Sequence, residues 1–170
     1  MKTKENFKLR ALVFIFISSL FSVNGFAQGA ANFSGSWAYN EAKSVLGEGG
    51  FRMISQTVTI TQNDQTFTLE RSFRGQDGED RKMTETYTLD GKESVNPVFN
   101  TSKKSNAVWS ADKKVLTVSS VMVFEMNGEQ NEIKTVETYK LGDAGKSLSI
   151  ESKSSSSMGE RVYTLAYDKK

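Results

Sequence analysis

The sequence predicts an all-β domain: an antiparallel up-and-down meander β-barrel of about eight to ten strands, preceded by a signal peptide. Three observations carry this. The run Thr84-Glu85-Thr86-Tyr87-Thr88-Leu89 returns as Val136-Glu137-Thr138-Tyr139-Lys140-Leu141. Each copy follows a Gly-Glu pair, Gly78-Glu79 or Gly128-Glu129, and before that an alternating run, Phe67-Thr68-Leu69 or Leu116-Thr117-Val118. A weaker third copy passes through Leu148-Ser149-Ile150, Gly159-Glu160 and Tyr163-Thr164-Leu165. One strand-turn-strand unit used repeatedly implies that each strand pairs with the next. Turn-forming pairs recur between the apolar runs, and the apolar spacing is two residues nearly everywhere, the period of a half-buried strand. The one helix signal is Asn40 to Leu46, where Asn40 is placed to cap a turn or two of helix ended by Gly47.

Residues 1–27 read as the signal peptide. Lys2, Lys4, Lys8 and Arg10 make its basic start, Ala11 to Val23 its apolar centre and Gly25-Phe26-Ala27 its small-residue exit. The apolar centre is shorter than the ~20 residues that span a bilayer. The mature domain, 28–170, then starts near Gln28 and is exported to the periplasm or the medium. The leader takes with it four of the 22 basic and one of the 20 acidic residues, leaving 18 against 19. The alkaline isoelectric point of 8.7 therefore belongs to the precursor and does not mark a nucleic-acid-binding surface. The chain has no cysteine, so neither a disulfide nor lipidation of a thiol is available, and stability must come from sheet closure and packing.

Along the mature domain, strands are expected near 33–40, 53–62, 65–73, 82–89, 105–110, 114–126, 131–141, 146–154 and 160–168, with a short additional strand near 94–99. The joints are Asn63-Asp64, Asp77-Gly78, Asp90-Gly91, Ala111-Asp112, Asn127-Gly128, Gly142-Asp143 and Ser157-Met158-Gly159, all of turn-forming chemistry. Pro97, the single proline, falls outside the strong strands, where it removes no ladder hydrogen bond. Ser152 to Ser157, broken only by Lys153, reads as a solvated strand end.

The alternation groups side chains by face. Phe67, Leu69 and Phe73 share a face with Arg71; Met83, Tyr87 and Leu89 with Glu85; Ile133, Tyr139 and Leu141 with Glu137. Charges in a filled core are costly unless paired. Arg71, Glu85 and Glu137 are therefore expected either to face a wet cavity and meet the polar part of a ligand, or to pair with one another or reach water at strand ends. The opposite faces carry Thr84, Thr86, Thr88, Thr117, Ser119, Thr138 and Ser149. A barrel embedded in a membrane needs an apolar belt there, so that alternative is set aside.

The absence of histidine and cysteine removes thiol nucleophiles, imidazole bases and the usual zinc and copper ligands. Glu85 and Glu137 could in principle act as a catalytic carboxylate pair, but duplication of a hairpin explains their equivalence better. Gln76-Asp77-Gly78-Glu79-Asp80 lacks the ligand spacing of a calcium loop, and no glycine loop precedes a helix. No enzyme, cofactor or metal site is expected.

Phe33-Ser34-Gly35-Ser36-Trp37, at the start of the mature domain, resembles the Phe-x-Gly-x-Trp opening of lipocalins and intracellular fatty-acid-binding proteins. The whole domain is similar to bacterial secreted lipocalin-like (calycin-type) proteins, which share Asn-x-x-x-Ser, here Asn40 to Ser44, and Asp-Gly-Lys hairpins, here Asp90-Gly91-Lys92. The resemblance implies a barrel plugged at one end by Trp37 and open to small apolar molecules. Arg161-Val162-Tyr163 is similar to the Arg-x-Tyr that holds a carboxylate in fatty-acid-binding proteins, and in lipocalins a last-strand arginine packs on the tryptophan; either role implies Arg161 beside the interior or the mouth. Two departures stand against a full match: the Thr-Asp-Tyr motif of lipocalins has no counterpart, and long lid helices do not fit between Asn40 and Arg52. On the last strand, Val162, Thr164 and Ala166 share one phase and Arg161, Tyr163, Leu165 and Tyr167 the other, so either set can face inward.

The expected role is noncatalytic binding of a small, partly apolar ligand. Trp37, Phe67, Leu69, Met83, Tyr87, Trp109, Met122, Phe124 and Tyr139 are the candidate wall, Arg71 and Arg161 the candidate partners of an anionic group, and Glu85 and Glu137 further polar candidates. The alternative is an interaction module with a filled barrel that contacts protein or glycan through its surface.

Overall fold

A computed structural model describes residues 29–47, 54–75, 78–126 and 128–170; the expected signal peptide, Met53 at the start of one expected strand, and Asp77 and Asn127 of two expected turns lie outside these residues. Ten strands form one antiparallel sheet: β1 (Gly35–Val45), β2 (Thr57–Gln62), β3 (Thr66–Arg74), β4 (Asp80–Thr88), β5 (Glu93–Val98), β6 (Thr101–Trp109), β7 (Val115–Met126), β8 (Glu129–Gly142), β9 (Ser147–Ser156) and β10 (Gly159–Lys169). The order across the sheet is β4-β3-β2-β1-β10-β9-β8-β7-β6-β5. Every pairing but one joins sequence neighbours; the exception, β1 with β10, curls the sheet into a nearly closed barrel. The strands follow the expected pattern, and the short strand containing Pro97 is present as β5.

Side chains complete the circle. The free edges, β4 and β5, have no backbone ladder between them. Asn96 instead accepts from the Thr86 amide at 2.8 Å and donates to the Thr86 carbonyl at 3.0 Å, so its carboxamide replaces one peptide group of a missing neighbour. The Ser94 hydroxyl accepts from the Thr88 amide at 2.9 Å. These contacts satisfy edge groups that would otherwise be left without partners. The next residue of β5 is Pro97, which has no N–H to offer, and beyond it the two edges part around Met83, Thr84 and Phe99.

The expected helical turn at Asn40 is instead a bulge in a continuing strand. Between Asn40 and Val45 the register with β10 slips, Asn40 facing Ala166 and Val45 facing Thr164. Asn40 still uses its capping chemistry: its Oδ1 accepts from the Lys43 amide at 3.1 Å. Ser44 donates to the Asn40 carbonyl and accepts from the Ala166 amide at 2.9 Å. Tertiary pairing with β10 thus overrides the local helix preference. Ser152–Ser156 is the end of β9, and the exposed Lys153, Ser155 and Ser157 fit a solvated strand end, but Ser152 departs from that expectation in being fully buried.

The end of the barrel where the domain starts is packed solid. Gln62 clamps the N-terminal segment, its Oε1 accepting from the Phe33 amide and its Nε2 donating to the Ala31 carbonyl. This places the Phe33 ring inside, stacked on Trp109 with centroids 5.9 Å apart and edge-on to Phe67 and Tyr139. Trp37 is fully buried and donates its indole N–H to the Phe33 carbonyl at 3.0 Å. Gly35 begins β1 with φ +143°, and a Cβ there would press on the Lys169 side chain.

Replacing Asn96 by Ala should leave the Thr86 N–H and C=O without partners and destabilise the fold by about 1–3 kcal/mol. The informative measurement is hydrogen exchange: the Thr86 amide should lose protection while amides in the β7–β8 ladder keep theirs.

Candidate functional site

Above the aromatic plug the interior changes character. Arg71 on β3 reaches across the lumen to β8, where its Nη2 donates to both oxygens of Glu137 at 2.7 Å and to the Tyr139 hydroxyl at 3.0 Å. Its Nη1 donates to Glu85 on β4 at 3.2 Å. Tyr139 in turn donates to Glu137 at 2.7 Å, and Lys103 on β6 pairs with the other oxygen of Glu85. Four strands thus contribute two cations and two anions to one cluster. The Glu85 side chain is 1% exposed, and those of Glu137, Arg71 and Lys103 are 10%, 14% and 15%.

Strand period explains the convergence. Arg71 lies opposite Met83 and Glu85 opposite Leu69 in the β3–β4 register, so both charges point inward between apolar neighbours. Burial alone would push the Glu137 carboxyl up, but the Arg71 guanidinium, Lys103 and the Tyr139 hydroxyl outweigh it and hold the group at about 2, well under its ordinary 4.5. Burial also lowers the tendency of Arg71 to hold its proton, yet Glu137, with Tyr139 and Glu85, raises it well above the usual guanidinium value. Burial, reinforced by Glu137, pushes the Tyr139 phenol far up. Arg71 and Glu137 are therefore ionic at neutral pH, and the Tyr139 phenol stays protonated.

These charges floor a cavity of about 210 Å³ in the far half of the barrel. Its floor is Arg71, Lys103 and Glu137; its apolar wall is Met83, Val98, Met122, Ile150 and Leu165; its hydroxyls belong to Ser55, Thr135, Tyr163 and Tyr167. Phe99, in the β5–β6 turn with φ +52° and 72% exposed, stands at the mouth. Phe99 and Met122 also line an outer apolar groove of about 520 Å³ with Val123, Phe124 and Ile133. Cavity and groove therefore meet at these two side chains.

Of the residues singled out in the sequence, Arg71, Met83, Met122 and Glu137 line the cavity. Glu85 is sealed just beneath, bound to Arg71 and Lys103. Trp37, Phe67, Leu69, Tyr87, Trp109 and Tyr139 lie in the packed half and fill it, and Phe124 lies in the outer groove. The inward set on β10 is Tyr163, Leu165 and Tyr167, yet Arg161 lies outside the cavity, in a surface depression with Lys134, Lys153 and Val162. The last-strand cation over the Trp37 ring is Lys169, at 5.2 Å.

Sequence reasoning missed Lys103 in the ion cluster, and on the cavity wall Ser55, Val98, Thr135, Ile150 and Leu165. The run Thr101-Ser102-Lys103-Lys104 carries no apolar alternation, so β6 was expected to begin only at 105. Its phase with Ser105 and Ala107, both buried, was the available signal.

The fold is that of a calycin-type, lipocalin-like barrel. No protein-family model matches the chain, and no curated protein matches it in sequence. Solved structures do match. The zebrafish ileal bile acid-binding protein, determined with cholic acid, aligns with a TM-score of 0.51 at 18% identity, over 81% of this chain and 98% of that one. A secretory abundant heat soluble (SAHS) protein of Ramazzottius varieornatus aligns with a TM-score of 0.51 at 13% identity, over 81% of this chain and 94% of that one. At such identities the likeness speaks to architecture.

The depressed Glu137 value links the cluster to acid stability. A carboxylate held below its ordinary value contributes fully above pH ~4.5, and the contribution is lost as pH falls toward ~2. Its size is on the order of 3 kcal/mol. Urea unfolding at stepped pH should show wild-type stability falling through that window more steeply than that of Glu137→Gln; parallel curves would mean that Glu137 titrates normally.

Proposed function

We propose that this protein is an exported, noncatalytic carrier that holds a small, partly apolar molecule in the far half of its barrel. The supporting observation is the cavity: it joins an apolar wall to a few convergent polar groups and reaches the surface beside Phe99 and Met122, the composition usual for ligand sites. Its volume of about 210 Å³ is below the ~300–1,000 Å³ of typical small-molecule pockets. The ligand is accordingly compact, or lies with its polar end inside and an apolar tail along the outer groove. Export rests on the basic, apolar and small-residue order of residues 2–27, and places the protein in the periplasm or the medium. A barrel cocrystallised with cholic acid among its structural neighbours fits a carrier role.

The packed lower half favours a second reading, a module that works through its outer surface, because the plug of Phe33, Phe67, Trp109 and Tyr139 leaves no room for a ligand there. The two readings separate experimentally. With methyl-labelled methionine, amphiphile binding should shift the Met83 and Met122 resonances and leave Met158, in the exposed β9–β10 turn, in place. Native mass spectrometry of protein recovered from its own source should show a bound small molecule. Unmoved Met83 and Met122 resonances across a panel of amphiphiles, with no copurifying molecule, would reject the carrier.

A further inference from the structure

We infer that the cavity selects an uncharged polar head group and excludes carboxylates. This rests on the carrier reading and narrows its ligand class. The cluster at the base of the cavity contains two cations and two anions: Arg71, Lys103 and Glu137 on the floor, and Glu85 sealed just beneath it. Each is already paired, and the four formal charges of the cluster cancel.

Consider a carboxylate entering this site. To reach the Arg71 guanidinium it must replace Glu137, which already holds that guanidinium through both oxygens at 2.7 Å and takes a further bond from Tyr139. The displaced Glu137 would then be buried without its partner, and the incoming anion would stand beside two others. Lys103 is engaged by Glu85. An ammonium head meets the mirror image of the problem, since both carboxylates are occupied and Arg71 and Lys103 repel it. Each charged head also leaves its hydration behind with no unpaired counter-ion to compensate. An alcohol or other neutral head loses far less water and can exchange hydrogen bonds with the hydroxyls of Ser55, Thr135 and Tyr163 on the wall.

No other group facing the cavity shifts this balance. Besides Arg71, Lys103 and Glu137, the ionisable side chains on its lining are Tyr163 on β10, and Tyr167, whose phenol burial pushes up. Below the floor, burial with Glu85 and Glu137 pushes the Tyr87 phenol up as well, and Tyr139 follows. The phenols with raised values remain neutral wherever the ions remain charged.

The test compares three probes of equal length, 1-octanol, octanoate and octylammonium, titrated calorimetrically into the intact mature chain, with the Met83 and Met122 methyl resonances confirming the site. At pH 7 octanol should bind at least tenfold more tightly than either ion. Toward pH ~4 the octanoate affinity should rise to approach that of octanol, because the ligand protonates near an ordinary carboxyl value while Glu137, held at about 2, stays ionised. Glu137→Gln leaves two cations facing one anion and should raise octanoate affinity relative to octanol at least tenfold. If that variant fails to fold, the wild-type ratio and its pH dependence still decide. Octanoate matching or exceeding octanol at pH 7 overturns the inference and leaves the carrier standing; no binding by any of the three overturns both.

Discussion

The Arg71 guanidinium is the tie on which the interior depends. It spans the lumen from β3 to β8 and touches β4 on the way, so three parts of the wall meet in one planar group. An arginine buried without partners would be prohibitive, and so would either glutamate. Together with Lys103 they become tolerable, and the fold is committed to keeping all four in place. The cluster also divides the barrel. Below it, aromatic rings interlock at centroid distances of 5.3 to 6.4 Å and the space is full. Above it, a layer of ions cannot be covered by more hydrocarbon without a further desolvation cost, and the interior stays hollow.

That division explains why Arg71 and Glu137 line a cavity while pairing with each other, and why Glu85, paired to Arg71 and Lys103, lies beneath it. Period-two alternation places Arg71, Glu85 and Glu137 on the inward face: Arg71 and Glu85 sit between apolar residues two positions away, and Glu137 shares phase with Ile133, Tyr139 and Leu141. The hairpin repeat makes Glu85 and Glu137 equivalent in their units. Neither pattern contains the distance across the barrel, which depends on where β1 meets β10 and how far the strands tilt. Pairing across the lumen is a property of closure and has no local trace.

The departures have the same origin. Asn40 has the chemistry of a helix cap, and the structure spends it on a bulge because β10 offers amides to be bonded. Lys103 was overlooked because the unbroken polar run from Asn100 to Asn106 conceals a strand, whereas the buried Ser105 and Ala107 beyond it show its phase. The inward set on β10 became definite only once its register against β1 and β9 was known. Arg161, attractive by its spacing to Tyr163, lies too near the rim to reach the lumen, and Lys169 at the opposite end covers the tryptophan. Fold likeness at 18% and 13% identity reaches the architecture, while the chemistry of the lumen belongs to the side chains of this chain alone.

The carboxamide of Asn96 and the hydroxyl of Ser94 make the barrel a split collar with a side-chain clasp. Everywhere else, widening the cylinder means tearing a ladder of backbone bonds; along this line it means releasing about three contacts, each worth roughly 1 kcal/mol. The girth of the molecule can therefore vary at one longitude while the remaining wall stays rigid. Met83 and Phe99 border both the hollow and the outer slot beside the clasp, so any such breathing is felt first where a guest would be held.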